Sequence, residues 1–271
     1  MKTATGRQRP LDIAGAAATI VFMVRGAITL CWRGLLDLAL PTVCAACGRR
    51  DERAGPLCPS CAAALLGQVD GRYCPRCGAG IGENLPVDED GCFQCPTPVP
   101  RFQRVVRLTA YEPPLAEVIR GMKFRGVRHG CRWLGRLLAD RVAATGELAS
   151  VDAVQHVPLH WIRRLDRGFD QGRLLAAAIA RRIGRPRLEA LRRVRNTPPQ
   201  VNLPRTRRLE NVRGAFKPVG RDAEGLHVLL VDDVTTTGAT ADEATRALLA
   251  GGARRVSLAV VAKAEPPPRQ T

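Results

Sequence analysis

Residues 228–240 constrain the fold more than any other part of this chain. They read Val-Leu-Leu-Val-Asp-Asp-Val-Thr-Thr-Thr-Gly-Ala-Thr. The apolar run over 226–231 is typical of a strand buried in a parallel sheet. The hydroxyl-rich turn after it leads into a helical pattern, so its backbone N–H groups can hold a phosphate at a helix N-terminus. The two carboxylates between strand and turn can accept hydrogen bonds from sugar hydroxyls. The stretch therefore predicts a site for a ribose 5-phosphate.

This stretch resembles the loop of type I phosphoribosyltransferases that binds phosphoribosyl pyrophosphate (PRPP). One alternative is a generic strand–turn–helix junction. Another is the acidic strand of a P-loop ATPase, which is excluded because the chain has no G-x-x-x-x-G-K-[ST] element. The resemblance implies that PRPP is bound by Asp232, Asp233, Thr235, Thr236, Thr237, Gly238, Ala239 and Thr240.

Eight of the ten cysteines form four C-x-x-C pairs, Cys44/Cys47, Cys58/Cys61, Cys74/Cys77 and Cys92/Cys95. This spacing is typical of ligands to tetrahedral zinc, because each tight turn presents two thiolates. A disulfide framework is the alternative, but it needs an oxidising compartment and does not favour four regular pairs. We expect two closed, structural zinc sites, and we prefer sequential grouping of the pairs over interleaving. Cys31 and Cys131 are expected to be core thiols.

The chain is strongly basic, with 42 Lys and Arg against 25 Asp and Glu, a net charge of +17. Such an excess attracts polyanions, whether a pyrophosphate substrate or nucleic acid. An arginine-rich proteome would give the same composition.

The N-terminus carries a mostly apolar run over 11–24, preceded by Lys2, Arg7 and Arg9. A transmembrane helix needs about 20 residues, so the run is too short to span a membrane. It has some character of a signal peptide or an interfacial helix. Export would expose the zinc thiols to an oxidising space, so we expect a cytoplasmic protein without a transmembrane segment. The alternative is that translation starts at Met23 and that the first 22 residues are not translated.

The pattern along the chain predicts an α/β fold. We expect an N-terminal extension with a short helix (1–41, helix 31–40), a double zinc ribbon (42–97) ending in a stiff Pro-rich linker (96–100), a phosphoribosyltransferase-like domain (101–265) and a disordered tail (266–271). Strands are predicted over 104–111, 151–157, 226–231 and 255–262, and helices over 114–122, 132–143, 173–183 and 240–250. The last helix has a capping-box pattern, Thr240-x-x-Glu243. Alternating strands and helices predict a parallel sheet flanked by helices, with ligands at the carboxyl ends of the strands.

A basic segment over 157–171 follows the second predicted strand. Its arginines Arg163, Arg164 and Arg167 would suit a leaving pyrophosphate, which needs fixed positive donors. The alternative is a solvated basic loop in which Asp170 caps a helix. His160 is a weak site candidate, and the other histidines are expected to be structural.

The segment 184–217 is long, polar and basic. Between Arg185 and Arg221, eleven basic residues stand against two acidic ones. Such an insertion before a buried strand is usually functional or disordered. We expect a lid that covers the site, with Arg195, Gln200 and Arg205 as candidates. The alternative is an arm that binds nucleic acid, although aromatic residues are almost absent from it.

These parts in this order resemble the ComF family, also described as amidophosphoribosyltransferase-like competence proteins. The resemblance spans residues 31–263 and rests on the paired cysteines, Arg-Gly-Phe-Asp-Gln at 167–171, Arg-Asn-Thr-Pro-Pro-Gln at 195–200 and the PRPP loop. Lys123-Phe124 also resembles a family element, which makes Lys123 a site candidate. The family more often has Asn where Asp170 stands, which alters the local charge.

This resemblance implies a type I phosphoribosyltransferase fold, PRPP bound with Mg²⁺, and a role in uptake of single-stranded DNA with a DNA-translocation machinery. A homo-oligomer is compatible with it. One hypothesis is an enzyme of nucleoside metabolism that transfers ribose 5-phosphate to a nitrogen acceptor and releases pyrophosphate. No residue stands out as a general base, so catalysis would depend on positioning and charge. The other hypothesis is a non-catalytic DNA-binding or adaptor protein that uses PRPP as a regulatory or structural ligand.

Overall fold

The structure is a computed structural model that describes residues 43–51, 55–69, 71–82, 86–87, 91–124, 128–198 and 205–264. The expected extension 1–41 with its helix 31–40, Cys31, Gln200 and the tail 266–271 lie outside these residues. By its contacts the chain divides into two units, and the larger one comprises residues 44–49 and 55–271.

Strands and helices alternate along most of the described chain. The strands are β1 (Val105–Ala110), β2 (Ala153–His156), β3 (Leu191–Arg193), β4 (Phe216–Pro218), β5 (His227–Thr235) and β6 (Arg255–Lys263). The helices are α1 (Pro59–Leu66), α2 (Leu115–Phe124), α3 (Arg128–Ala144), α4 (Trp161–Arg167), α5 (Gln171–Ile183), α6 (Arg205–Val212) and α7 (Ala239–Ala250), with a 3₁₀ turn at Glu147–Ser150.

The main sheet has four parallel strands in the order β1-β6-β5-β2. This confirms the predicted parallel sheet flanked by helices. Strand β5 is longer than predicted, because its pairing with β6 continues from Asp232, opposite Val260, to Thr235, opposite Lys263. Both acidic residues therefore lie within the last part of the strand, and the prediction that the strand ends at Val231 is wrong.

Alternating side chains of the strands face two separate buried cores. Leu229 and Val231 of β5 belong to one core, together with residues of α2, α3 and α5. Val228 and Leu230 belong to the other, together with residues of α7, β3 and β4. This two-sided burial explains the continuous apolar run, since a strand covered on both faces has no solvent-facing positions.

The first half of the cysteine module packs into the core of the α/β domain. Cys44, Leu57 and Leu65 belong to the same buried cluster as Val118 of α2 and Leu134 of α3. In addition, the Gln68 side-chain amide donates a 2.9 Å hydrogen bond to the carbonyl of Pro113. The ribbon and the α/β domain thus share apolar burial, and the boundaries 42–97 and 101–265 stay a prediction.

Several elements differ from the sequence-based expectation. The basic segment 157–171 contains the seven-residue helix α4, and the segment 184–217 contains α6 and the antiparallel pair β3–β4. The predicted capping box is also wrong. Helix α7 begins at Ala239 after Gly238, without a side-chain cap. Glu243 instead accepts a 2.8 Å hydrogen bond from the Gly214 backbone N–H and pairs with Arg246.

Within the described ranges, no helix is both long and apolar enough to span a membrane.

Candidate functional site

A cavity of about 160 Å³ lies beside the carboxyl ends of β2 and β5. These strands are neighbours in the sheet, so the loops that follow them meet at the same edge. The charged residues that line the cavity are Lys123, Arg163, Arg167, Arg193, Asp170, Asp232 and Asp233. Four basic groups thus stand with three carboxylates, a combination that suits a ligand bearing both hydroxyls and phosphates.

The two adjacent acids of β5 have different surroundings. The Oδ2 oxygen of Asp233 lies 3.1 Å from the ammonium of Lys123 and accepts a 3.1 Å hydrogen bond from the Gln171 amide. Asp232 has no such side-chain donor among the described residues. Burial, and then the neighbouring Asp233 carboxylate, raise the pKa of Asp232 to about 7. One acid of the pair is therefore held by a cation, and the other exchanges its proton near neutral pH.

The turn after β5, residues 236–240, is the segment predicted to hold a phosphate, and we call it the phosphate loop. Within the described chain, the backbone N–H groups of Thr236, Thr237 and Gly238 donate no hydrogen bond. Gly238 has φ +82°, a left-handed conformation that side-chain-bearing residues rarely adopt. Thr240, in the first turn of α7, lines the cavity. The loop can thus offer several N–H donors to an anion at the N-terminus of a helix.

Two arginines are held side by side by one threonine. Arg193 donates a 2.7 Å hydrogen bond to the Thr197 hydroxyl, and Arg163 donates to the Thr197 carbonyl. Burial and the charge of Arg163 lower the pKa of Arg193 to about 10. Burial and the charge of Arg167 lower the pKa of Arg163. Because like charges held this close repel, an anion bound between them would relieve the repulsion.

Arg193 is the most buried of these cations, at 9% exposure. Its guanidinium lies 5.3 Å from the centre of the Phe216 ring, and its Nε is buried without a hydrogen-bond partner in the described structure. Sequence reasoning missed this residue. From the sequence Leu191-Arg192-Arg193 alone, either arginine could face the cavity. Pairing of β3 with β4 determines which one does, and β4 begins more than twenty residues later, at Phe216.

Of the other predicted residues whose side chains the structure describes, His160, Arg164 and Arg195 do not line the cavity. Arg164 is exposed on α4, and Arg195 is exposed and donates to the carbonyl of Arg213. Arg205 begins α6. His160 accepts a 3.4 Å hydrogen bond from the Ile162 N–H and so caps α4.

Asp170 does cap a helix, as the structural alternative proposed. It accepts a 3.0 Å hydrogen bond from the Arg173 N–H at the start of α5. The next residue, Gln171, was quoted within a motif but was not a site candidate. Its amide nevertheless reaches Asp233 directly, because the capped helix directs its first turn at the end of β5.

The eight paired cysteines form two groups of four. The first cluster comprises Cys44, Cys47, Cys58 and Cys61, and the second cluster comprises Cys74, Cys77, Cys92 and Cys95. This is the sequential grouping preferred from the sequence.

The geometry of both clusters fits zinc. Four sulfurs bound about 2.3 Å from a tetrahedral ion lie about 3.8 Å apart. The sulfurs of Cys47 and Cys58 are 3.8 Å apart in the first cluster, and those of Cys77 and Cys92 are 3.7 Å apart in the second. Burial and the neighbouring thiols raise the pKa of Cys61 to about 12, so full ionisation of the first cluster requires a cation. Four thiolates would close the coordination sphere and make each ion structural.

Two protein families match separate parts of the chain. The Double zinc ribbon domain matches residues 35–96, and the Phosphoribosyl transferase domain matches residues 170–269.

Individual proteins match more of the chain. DNA utilization protein YhgH of Salmonella typhi is 35% identical over 208 residues, which cover 74% of this chain and 88% of that protein. Competence protein F of Haemophilus influenzae is 32% identical over 198 residues, which cover 71% of this chain and 85% of that protein. Among solved structures, glutamine PRPP amidotransferase of B. subtilis is 24% identical with a TM-score of 0.36, over 49% of this chain and 26% of that one.

Proposed function

Since this chain belongs to the ComF family, with a double zinc ribbon followed by a phosphoribosyltransferase domain, we propose that its cavity binds PRPP with Mg²⁺ and that the protein transfers ribose 5-phosphate to a nitrogen acceptor. One observation carries the proposal. The acidic pair lies in the last part of β5, shortly before a loop in which three backbone N–H groups donate no hydrogen bond within the described chain, and arginines line the same cavity.

In this proposal, each part of PRPP is bound by a different set of residues. The 5-phosphate is placed on the phosphate loop, where backbone N–H groups and the helix N-terminus favour an anion. The ribose hydroxyls are placed on Asp232 and Asp233, because ionised carboxylates are strong acceptors for hydroxyl donors. The pyrophosphate is placed between Arg163 and Arg193, with Arg167 beside them.

Catalysis on this scheme depends on charge and position. As the bond to pyrophosphate breaks, negative charge accumulates on the leaving group, and fixed guanidinium groups stabilise it. Lys123, in its ion pair with Asp233, places a further positive charge at the cavity. No side chain is assigned as a general base. Magnesium would bind mainly oxygens of the substrate and water, as it usually does with phosphates.

The segment 184–217, predicted as a lid, brings two described residues after β3 to the site. Pro198 lines the cavity, and the adjacent Thr197 holds both arginines. We propose that this segment covers bound PRPP and limits access of water to the reacting centre, as lids in other enzymes do.

The enzyme proposal is tested by release of pyrophosphate. Purified protein is incubated with PRPP, Mg²⁺ and a panel of nitrogen acceptors that includes nucleobases, ammonia and simple amines. Acceptor-dependent release is expected from the wild type and not from Asp233→Asn. If PRPP binds but no acceptor supports release, the protein is not a transferase, and PRPP acts as a regulatory or structural ligand.

A second candidate function is binding of single-stranded DNA, alone or with a translocation machinery. Two exposed aromatic residues favour it, one of them beside an exposed arginine on the same helix. Trp161 is 59% exposed on α4 beside Arg164, and Phe93 is 75% exposed in the second cluster between Cys92 and Cys95. Aromatic side chains offer stacking platforms for bases, and arginines hold the phosphate backbone. The names of the relatives, a DNA utilization protein and a competence protein, are consistent with this role.

Fluorescence titration of a labelled single-stranded oligonucleotide tests this second function. Affinity should fall steeply with salt, because neutralised phosphates release counterions. Trp161→Ala should weaken binding about fivefold or more. Replacement of the cysteines of the second cluster should abolish binding. Salt-independent binding, or none, rejects this function.

Reduced thiols are required for zinc ligation, which supports a cytoplasmic location.

A further inference from the structure

The turn between Cys74 and Cys77 of the second cluster, which we call the knuckle, carries an arginine whose side chain extends away from the cysteines and contacts another part of the chain. Arg76 stands between Cys74 and Cys77, where the corresponding residue of the first cluster is Ala46. Its guanidinium donates 2.9 Å hydrogen bonds to the carbonyls of Pro100 and Gln103 and a further bond to the carbonyl of Phe102. All three acceptors belong to residues 100–103, which we call the strap. The planar, multi-donor guanidinium is suited to gathering several carbonyls in this way.

The strap contacts the phosphate loop directly. The Phe102 ring is 1% exposed, and its Cζ atom lies 3.4 Å from the position that a Cβ atom at Gly238 would occupy. Next to it, Arg101 makes two bonds to the Asp242 carboxylate in the first turn of α7, 2.6 Å from its backbone N–H and 2.5 Å from its guanidinium. The strap therefore lies against the loop at Gly238 and is bonded to the first turn of the helix that follows it.

A second route joins the same knuckle to the loop. A Cβ atom at Gly78, the residue after Cys77, would lie 3.8 Å from the side chain of Lys263. Lys263 in turn donates a hydrogen bond to the carbonyl of Thr236, the first residue of the loop. The knuckle is also tied to the sheet, because the Val105 N–H donates a 2.6 Å hydrogen bond to the carbonyl of Pro75.

We propose that Arg76 is a positioning residue for the phosphate loop, and that the second cluster, through the strap, holds the loop's N–H groups in place for the 5-phosphate. This inference rests on the proposed function. A zinc ion bound there would fix the backbone on both sides of Arg76, since it binds Cys74 and Cys77. The first cluster packs instead against α2 and α3, so it has no equivalent role.

Calorimetric titrations with ribose 5-phosphate and with magnesium pyrophosphate test the proposal, because the proposed function places the two probes on different residues of the cavity. Arg76→Ala should weaken ribose 5-phosphate binding at least tenfold and change pyrophosphate binding less than twofold. The ribose 5-phosphate affinity of Arg76→Lys should lie between those of the wild type and Arg76→Ala, because one ammonium cannot reach three carbonyls equally well. Arg49→Ala removes an equal charge from the first ribbon and should bind both probes with the affinities of the wild type.

Hydrogen exchange of residues 236–240 provides a readout that does not depend on ligands. Exchange should be faster in Arg76→Ala and after removal of zinc, and unchanged in Arg49→Ala. If Arg76→Ala does not fold, Asp242→Ala tests the same link, because it removes both acceptors of Arg101 and leaves the knuckle intact.

Unchanged exchange and unchanged ribose 5-phosphate affinity in the Arg76 variant would overturn the proposal. An equal loss of both probes would also overturn it, because that is the signature of general damage. If the wild type binds neither probe, the proposed function fails, and the exchange experiment still decides whether Arg76 orders the loop.

Discussion

The ammonium of Lys123 lies 3.1 Å from the Oδ2 oxygen of Asp233, so the last turn of α2 places a positive charge at the acidic end of β5. The same charge lowers the pKa of the adjacent Asp232, against the larger effects of burial and of Asp233. Lys123→Met should therefore raise the pKa of Asp232 above about 7. Titration of the side-chain carboxyl carbon by NMR measures this pKa. Arg164→Met removes an equal charge outside the cavity and should leave it unchanged, and equal titration in all three proteins would refute the coupling.

PRPP affinity should depend on the protonation state of Asp232. The pKa of this acid is raised to about 7, so the group is mostly neutral below this pH and ionised above it. The ionised form is the better acceptor for ribose hydroxyls, and affinity should increase as pH rises from 6 to 8, by at most about tenfold per unit below the pKa. In Asp232→Asn, the affinity for PRPP should change with pH only because the phosphates of PRPP themselves titrate. The two proteins are compared by calorimetry at each pH, and parallel profiles would contradict the assignment.

The shared core predicts that the first ribbon stabilises the α/β domain. Leu65 of α1 is fully buried in this core, whereas its neighbour Leu66 is 47% exposed. Leu65→Ala should lower the free energy of unfolding by about 2–5 kcal/mol, because it removes packed methyl groups and leaves a cavity. Leu66→Ala should change it by about 0.5 kcal/mol or less. Urea unfolding of the zinc-loaded protein measures both, and equal effects would show that the ribbon packs loosely against the domain.

Gly238 should be required for phosphate binding. Its φ of +82° strains any side chain, and an added Cβ would lie 3.4 Å from the Phe102 ring, so the loop would have to shift. Gly238→Ala should weaken ribose 5-phosphate binding at least tenfold. Gly146 has a similar φ, +74°, and open space around an added Cβ. Gly146→Ala is therefore the control: it should introduce the same backbone strain but leave the affinity for ribose 5-phosphate unchanged. Calorimetry measures the affinities, and equal affinities for the two variants would contradict the placement of the phosphate.

The strand–loop–helix unit was predictable because all of its determinants are local. The apolar run, the two acids, the single glycine and the helical pattern lie within a few residues of one another. The end of the strand was misplaced, since it depends on pairing with β6, about thirty residues farther along the chain. The two cysteine clusters were also predictable, because C-x-x-C spacing by itself indicates zinc ligands.

The basic side of the cavity could be predicted only in part, because it is assembled from distant parts of the chain: Arg163 and Arg167 were candidates, but Arg193 was not. Arg193 faces inward only because β3 pairs with β4, and its partner residue Thr197 also receives Arg163 from α4. The contact of Arg76 with the strap has the same character. No local pattern links a zinc knuckle to three carbonyls more than twenty residues away.

The central claim, that the acidic pair of β5 binds PRPP, is tested most directly by calorimetric titration of PRPP with Mg²⁺ into the wild type and into Asp232→Asn/Asp233→Asn. The double variant keeps the side-chain shape and should retain its zinc content and fold. We predict saturable binding by the wild type and a loss of affinity of about a hundredfold or more in the variant, in line with loss of two charge-assisted hydrogen-bonding groups. Equal affinity in the two proteins would contradict the account.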